Sequence, residues 1–446
     1  MEPLVSSLVE KHFGVAGSQL LIGEVPVSTL ARTYGTPLFV YDQRTLDTRI
    51  AQLTAALPKS FRVYYSVKAN PNLRVLRQVL SHGLGLEIAS AGEFRTCLKA
   101  GCDPRHMLFA GPGKTETELE LVLSQGIGEI HLESLTETQR VALISKRLGR
   151  RARVAVRVNP AGDAEGGAMR MGGRSAPFGI DEEQLDHVLD AILAEESIDF
   201  RGIHIFAGTQ ILDAKLLANQ YRHGLEIARR VARKTGSPLA RLDFGGGLGI
   251  PYFSHEKELD LGQLGASLAA IFDEIATEPC FAGTEFVIEP GRFLIGEAGV
   301  YLAQVTDIKV SRGKKFLVVD GGMNHHLAAS GNLGQTIKRN YPVALVNKLG
   351  DTVEETVDVV GPLCTPLDTL ARNVALPHAE IGDLFAIFQS GAYGKTASPL
   401  GFLSHPAPVE AWTNAGRHEF SCFDAEPYAA RIEYSPTPAG KLSRSP

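Results

Sequence analysis

Apolar and polar positions along the chain fall into two textures, which change near Gly299. Before it, short runs rich in β-branched and aromatic residues recur at 61–69, 85–90, 107–111, 129–134, 153–159, 202–208, 241–245 and 285–289. Each has the length and composition of a buried strand. Helical periodicity lies between most of them, at 73–80, 91–100, 115–124, 136–148, 181–193, 214–234 and 261–276. An earlier helix spans 45–57, where Leu46, Ile50, Leu53 and Leu57 fall on one face. Strands alternating with helices predict a parallel sheet with helices outside. Eight units over roughly 240 residues match a (β/α)8 barrel. A doubly wound open sheet is the alternative, but its glycine fingerprint at the first strand–helix turn is absent. After Gly299, strand runs at 300–310, 315–320, 353–360 and 383–389 are punctuated by Pro, Gly and Asn, without regular helices. The predicted fold is therefore α/β: a barrel over 38–299, followed by an all-β, sandwich- or barrel-like domain built from 1–37 and 300–446.

The chain has 446 residues, 44% hydrophobic and 21% charged, an ordinary globular composition. A formal net charge of -5 gives no footprint for nucleic acid or an anionic membrane. No apolar run is long enough to span a bilayer, and the first residues carry no secretory pattern. Five cysteines (Cys97, Cys102, Cys280, Cys364, Cys422) lack zinc or disulfide spacing, so we expect no metal site and a cytoplasmic location.

Barrel chemistry sits at the C-terminal ends of the strands. Lys68 closes the first run, where burial is expected to pull an amine's pKa down and make it nucleophilic. A surface lysine is the blander reading. Glu87 ends the second run and Arg157 the fifth; the sixth carries His204, Phe206 and Thr209. Gly245, Gly246 and Gly247 leave backbone N–H groups bare for an anion, although a tight turn needs the same residues. Glu289, Gly291 and Arg292 follow the eighth run. Glu289 can pair with a protonated ring nitrogen or merely with an arginine. Phe206 can stack on a ring or simply fill the core, and a lone His204 is more often structural than catalytic. Amine, phosphate cradle, acid and stacking surface on one rim together describe a pyridoxal 5'-phosphate site.

The motifs YYSVKAN, GLEIASAGE, GIHIFAGTQ, DFGGGLG, EPGR, GPLC and SGAYG occur in this order. By them the chain resembles the pyridoxal-phosphate decarboxylases of the alanine-racemase-like fold, the diaminopimelate and ornithine decarboxylase family. The resemblance implies Lys68 as the Schiff-base lysine and Glu289 as partner of the ring nitrogen. It places Thr209, Gly245–Gly247, Gly291, Arg292 and Tyr393 around the phosphate, with Glu87, Arg157, His204 and Phe206 also at the cofactor. It implies a homodimer with shared active sites, in which Cys364 acts in the neighbouring barrel. Arg292, Asp368 and Tyr393 would meet the substrate. GIPYFSHEK, DGGMNHH and GPLCTPLD are similar to the butirosin-pathway branch, which acts on a glutamyl group tethered to an acyl carrier protein.

Three departures bear on the substrate. Phe206 stands where typical members stack a histidine, and residues 324–335 (NHHLAASGNLGQ) replace an arginine-containing substrate segment. Thr365 stands where an acidic residue reads a distal amine, whereas Asp368 keeps an ornithine-type CxxxD spacing. The expected activity is α-decarboxylation of an amino acid, with a carrier-bound glutamyl group as the main reading and a free diamino acid as the alternative. A glycine-rich loop at 162–177, with Arg170 and Arg174, could meet an acidic carrier. A racemase of this fold pairs the ring nitrogen with arginine, which Glu289 contradicts. A silent regulatory homologue would have lost Lys68, Cys364 or the glycines, and none is lost.

Overall fold

The computed structural model describes residues 2–161, 169–170, 175–206, 208–333, 335 and 338–421. The eight runs form β1 (Phe61–Ser66), β2 (Gly85–Ile88), β3 (Met107–Phe109), β4 (Glu129–Leu132), β5 (Ala152–Asn159), β6 (Ile198–Ile205), β7 (Arg241–Asp243) and β8 (Glu285–Ile288). All neighbours pair in parallel, and the β8–β1 and β4–β5 ladders close the barrel. Outside it lie α1 (Leu73–Ser81), α2 (Ala91–Ala100), α3 (Glu116–Ser124), α4 (Leu135–Leu148), α5 (Leu185–Leu193), α6 (Ala214–Thr235) and α7 (Leu261–Ile275).

The sequence punctuates these units locally. Asn72, Ser90, Thr115, Ser134, Asp213 and Asp260 each accept a backbone N–H at a helix N-terminus. Such caps contribute about 1 kcal/mol each and fix where strand ends turn into helix. Phe272 of α7 packs edge-on against Phe61 and Phe286, with ring centroids 4.8 and 4.6 Å apart. These contacts pin α7 to β1 and β8, adding about 0.5–1.5 kcal/mol each beyond area burial.

Several strands stop short of their sequence patterns. β1 ends at Ser66, and a single 3-10 turn, Val67–Ala69, carries Lys68. The Tyr65 hydroxyl donates to Asn70 O at 3.1 Å and braces that turn. β7 ends at Asp243, because Gly245 adopts φ +68 and turns the chain sharply.

The second domain is a mixed sheet in the order Thr369–Pro377, Val353–Val360, Lys314–Val319, Gly299–Ser311, Leu38–Asp42, Val409–Asn414, Arg417–Ser421. Leu384–Ile387 also pairs with Gly299–Ser311, and Val343–Leu345 pairs with Leu384–Ile387. The boundary at 38 gave Leu38–Asp42 to the barrel. The strand hydrogen-bonds instead within the second sheet, antiparallel to Gly299–Ser311 and parallel to Val409–Asn414. Its residues are buried throughout, and only the sheet centre could satisfy their backbone groups. Residues 2–37, without a clear pattern in the sequence, form helices Pro3–His12 and Val27–Tyr34 around a three-stranded sheet. Among the described residues no helix is long and apolar enough to cross a membrane.

Candidate active site

The C-terminal rim of the barrel brings polar side chains from β1, β2, β5, β6 and β8, or from the turns just after them, to one pocket. Lys68 leaves its turn with half of its side chain facing the pocket and Nζ 3.5 Å from Glu87 Oε2. Burial would lower its pKa, but the negative charge of Glu87, and then that of Glu289, outweighs burial and raises it. The expectation of a depressed pKa is thereby corrected: the carboxylate of Glu87 beside the amine pushes it upward. Glu87 is itself buried and accepts the Ser66 hydroxyl, while its Oε1 has no partner among the described residues. A second lysine on this rim, Lys114, donates to Gly111 O, His131 O and Glu137 at 2.6–2.7 Å. All three of its protons are engaged, so Lys68 is the amine turned toward the pocket.

The floor is a cluster of buried ionisable groups. Glu289 Oε2 lies 3.3 Å from His204 Nε2, and Glu289 Oε1 lies 3.9 Å from His131 Nδ1. The two imidazoles lie with centroids 4.4 Å apart and their planes tilted by 32°. Burial opposes charge on Glu289, yet His204, His131 and Lys68 hold its pKa below the carboxylate range. Burial lowers the His204 pKa to about 4. Glu289 is therefore the anion of this group. His131, His204 and Glu289 also place three ligand-type atoms within 4.8 Å of one another, the one such group among the described residues.

One wall is bare backbone. A Cβ on Gly245 would meet Ile205 O at 2.7 Å, one on Gly246 would meet Glu289 O at 2.6 Å, and one on Gly247 would meet Gly208 O at 2.9 Å. Only glycine fits this turn. Beside it, Arg292 Nη1 donates to the Tyr252 hydroxyl at 2.8 Å, and the guanidinium lies 4.8 Å from the Tyr393 ring. Its buried Nε has no partner among the described residues. Tyr393 is tied to the Lys68 turn through Tyr393 N–H to Ala69 O, 2.8 Å. Arg157 pairs with Glu133 at 3.0 Å, and its guanidinium lies 5.2 Å from the Phe178 ring and 5.8 Å from the Phe206 ring.

Lys68, Glu87, Arg157, His204, Phe206, Thr209, Gly246, Gly247, Glu289, Gly291, Arg292 and Tyr393 line this one pocket, and Gly245 forms the turn beneath it. Cys364 and Asp368 are not among its lining residues. Cys364 is exposed on the loop after Val353–Val360. Asp368 is buried and accepts the N–H groups of Met323 (2.6 Å) and Leu363 (2.8 Å), so its carboxylate braces that loop. Arg174, the Arg170 side chain and Cys422 lie outside the described residues. A separate cavity of about 390 Å³ in the second domain includes Lys348, whose ammonium is already paired with Glu380 and Asp383.

Sequence reasoning missed His131, Asp243, Glu133 and Tyr252. The available signal was alternation: Glu129, His131 and Glu133 place polar groups on one face of a strand read only as apolar.

The residues present fit pyridoxal 5'-phosphate. A pocket-facing amine, a buried anion on the floor and a turn that excludes every Cβ are what its aldehyde, ring nitrogen and phosphate require. Fold and site thus define a pyridoxal-phosphate enzyme of the alanine-racemase-like fold. Residues 43–296 match the model of the pyridoxal-dependent decarboxylase family, pyridoxal binding domain. The chain is 36% identical to an L-glutamyl-[BtrI acyl-carrier protein] decarboxylase of Niallia circulans, over 89% of this chain and 93% of that one. It is 32% identical to a diaminopimelate decarboxylase of Methanothermobacter thermautotrophicus, over 89% and 91%. The solved diaminopimelate decarboxylase of M. jannaschii, 24% identical, shares the fold with a TM-score of 0.84 over 92% of this chain and 94% of that one. The chain belongs to the pyridoxal-phosphate-dependent amino-acid decarboxylases of the diaminopimelate and ornithine decarboxylase family.

Proposed function

We propose that this carboxy-lyase removes the α-carboxylate of an amino acid whose distal end carries no free ammonium, a glutamyl group on an acyl carrier protein being the favoured form. The observation that carries this reading is the state of Asp368. Its buried carboxylate is engaged by two backbone N–H groups, and Thr365, directly after Cys364, stands where the acidic reader of a distal amine is expected. The carrier-bound substrate in the name of the Niallia relative supports the same choice. A free diamino acid is the second reading, favoured by diaminopimelate decarboxylases that match the chain over as much of its length.

In this reading, Lys68 would attach the cofactor, and the N–H groups of Gly246, Gly247 and Gly291, with Thr209, Arg292 and Tyr393, would hold its phosphate. Glu289 would face the ring nitrogen, and Phe206 would cover a ring face. Bound there, pyridoxal 5'-phosphate supplies the electron sink that carbon–carbon cleavage needs. Glu289 keeps an anion where positive charge must persist, and the buried floor excludes water from it. Cys364, exposed in its own chain, donates the replacing proton in the site of a second copy; Lys68 is the competing donor.

The test offers free glutamate, diaminopimelate, ornithine and glutamyl-loaded carrier protein to the holoenzyme and weighs each product for loss of carbon dioxide. Carrier-bound turnover without free diamino-acid turnover is expected. Full activity on diaminopimelate or ornithine, with none on the carrier, would establish the second reading.

A further inference from the structure

Behind Glu289 lies Asp243, the last residue of β7 and fully buried. Its Oδ1 accepts the Gly245 N–H at 2.8 Å. Its Oδ2 and Glu289 Oε1 are both buried without a hydrogen-bond donor among the described residues, although the two carboxyls are in side-chain hydrogen-bonding contact. The neighbouring bases do not meet this need. His131 Nε2 is 3.9 Å from Asp243 Oδ2 and closer, at 3.3 Å, to Glu129 Oε1. Arg241, two residues earlier, is bound to Glu285 and Glu129. His204 faces the other oxygen of Glu289, and Tyr221 of α6 is the phenol nearby. Two buried carboxyls in side-chain contact strongly disfavour double ionisation, and one proton between them serves both bare oxygens.

We propose that Asp243 is the protonated member of a carboxyl–carboxylate pair with Glu289. It donates its proton as a hydrogen bond and so fixes Glu289 as an anion aimed at the cofactor ring. Asp243 is a positioning residue: it acts on the ring only through Glu289. Burial, and then the Glu289 charge, hold Asp243 well above the usual carboxylate range, as such a pair requires. The assignment rests on Glu289 as partner of the ring nitrogen, but the proton itself is measurable without that role.

The experiment is infrared spectroscopy of holoenzyme carrying carboxyl-13C aspartate, titrated to about pH 8. A protonated-aspartate C=O stretch should persist there and be missing from Asp243→Asn. Its absence from the wild-type protein, or its survival in Asp243→Asn, overturns the proposal. Cofactor retention gives a second readout. The amide of Asp243→Asn still donates to Glu289, so its affinity for pyridoxal phosphate should stay within about threefold of wild type. Asp243→Leu leaves that oxygen bare and should lose about tenfold or more, about 1.4 kcal/mol. Equal loss in the two variants overturns the donor role.

Discussion

Lys68 Nζ stands 3.5 Å from Glu87 Oε2, and the pair couples the cofactor's attachment point to a carboxylate on the next strand. The ammonium must lose a proton before it can attack an aldehyde, and Glu87 is the largest influence holding that proton in place. Removing the charge should lower the Lys68 pKa. Cofactor uptake by apoprotein should therefore reach its plateau at lower pH in Glu87→Gln than in wild type. Stopped-flow absorbance across pH reads this; superimposable profiles contradict the coupling.

Lys68→Ala should lose turnover and the cofactor adduct that borohydride traps on the chain. Lys114 cannot substitute, because its protons are engaged by two carbonyls and Glu137. Peptide mapping of reduced protein locates the adduct. A pyridoxyl group retained elsewhere in the variant would move the attachment point from residue 68.

Glu289→Gln should keep the cofactor but slow the chemical step. An amide cannot balance positive charge on a ring nitrogen. Charged hydrogen bonds of this kind contribute about 1.5–3 kcal/mol, or roughly ten- to a hundredfold in rate. Single-turnover release of carbon dioxide measures the step directly, and an unchanged rate removes Glu289 from this role.

Cys364 is exposed and outside its own pocket's lining, so complementation can assign its site. Lys68→Ala and Cys364→Ala homodimers should each be nearly inactive. After subunit exchange, random equimolar mixing should restore about a quarter of wild-type activity, from one intact site per heterodimer in a two-fold dimer. Exchange proven by mass, with no recovery, would place the thiol in its own subunit or outside catalysis.

Glu297 ties three elements together: its Oε2 is 3.1 Å from Arg49 Nε and 3.3 Å from His12 Nε2. Burial opposes its charge, but His12 and Arg49 outweigh burial and hold its pKa at about 2. A depressed folded pKa contributes stability above the unfolded value of about 4.3 and loses it as pH falls toward 2, on the order of 3 kcal/mol in all. Urea midpoints between about pH 6 and pH 3 should therefore fall more steeply for wild type than for Glu297→Gln. At neutral pH the variant should be roughly 3–5 kcal/mol less stable, because Arg49 is left buried beside a neutral amide. Parallel pH slopes in the two proteins would contradict this account.

The barrel was legible because its signals are local. Each strand run is apolar over a few residues, each following helix repeats its face, and caps such as Ser90 and Thr115 mark the turns between. Gly245, Gly246 and Gly247 were legible for the same reason, since a crowded turn admits no other residue. The second domain was only half visible. Leu38–Asp42 looks like any buried strand, and its sheet partners lie more than 250 residues away in Gly299–Ser311 and more than 360 away in Val409–Asn414. No local pattern carries such pairing.

Local patterning along the chain was enough for the alternation of elements, the rim on which Lys68, Glu289 and Arg292 meet, and the family. The ionisation of that rim depends on the folded barrel. The Lys68 pKa is raised rather than depressed because β2 places Glu87 beside it. Asp368 braces a loop because Met323 and Leu363 aim their N–H groups at it. His131 and Asp243 join Glu289 because β4, β7 and β8 point side chains into one barrel interior. Charge states depend on distances and burial across strands remote in sequence, and these exist only once the barrel has closed.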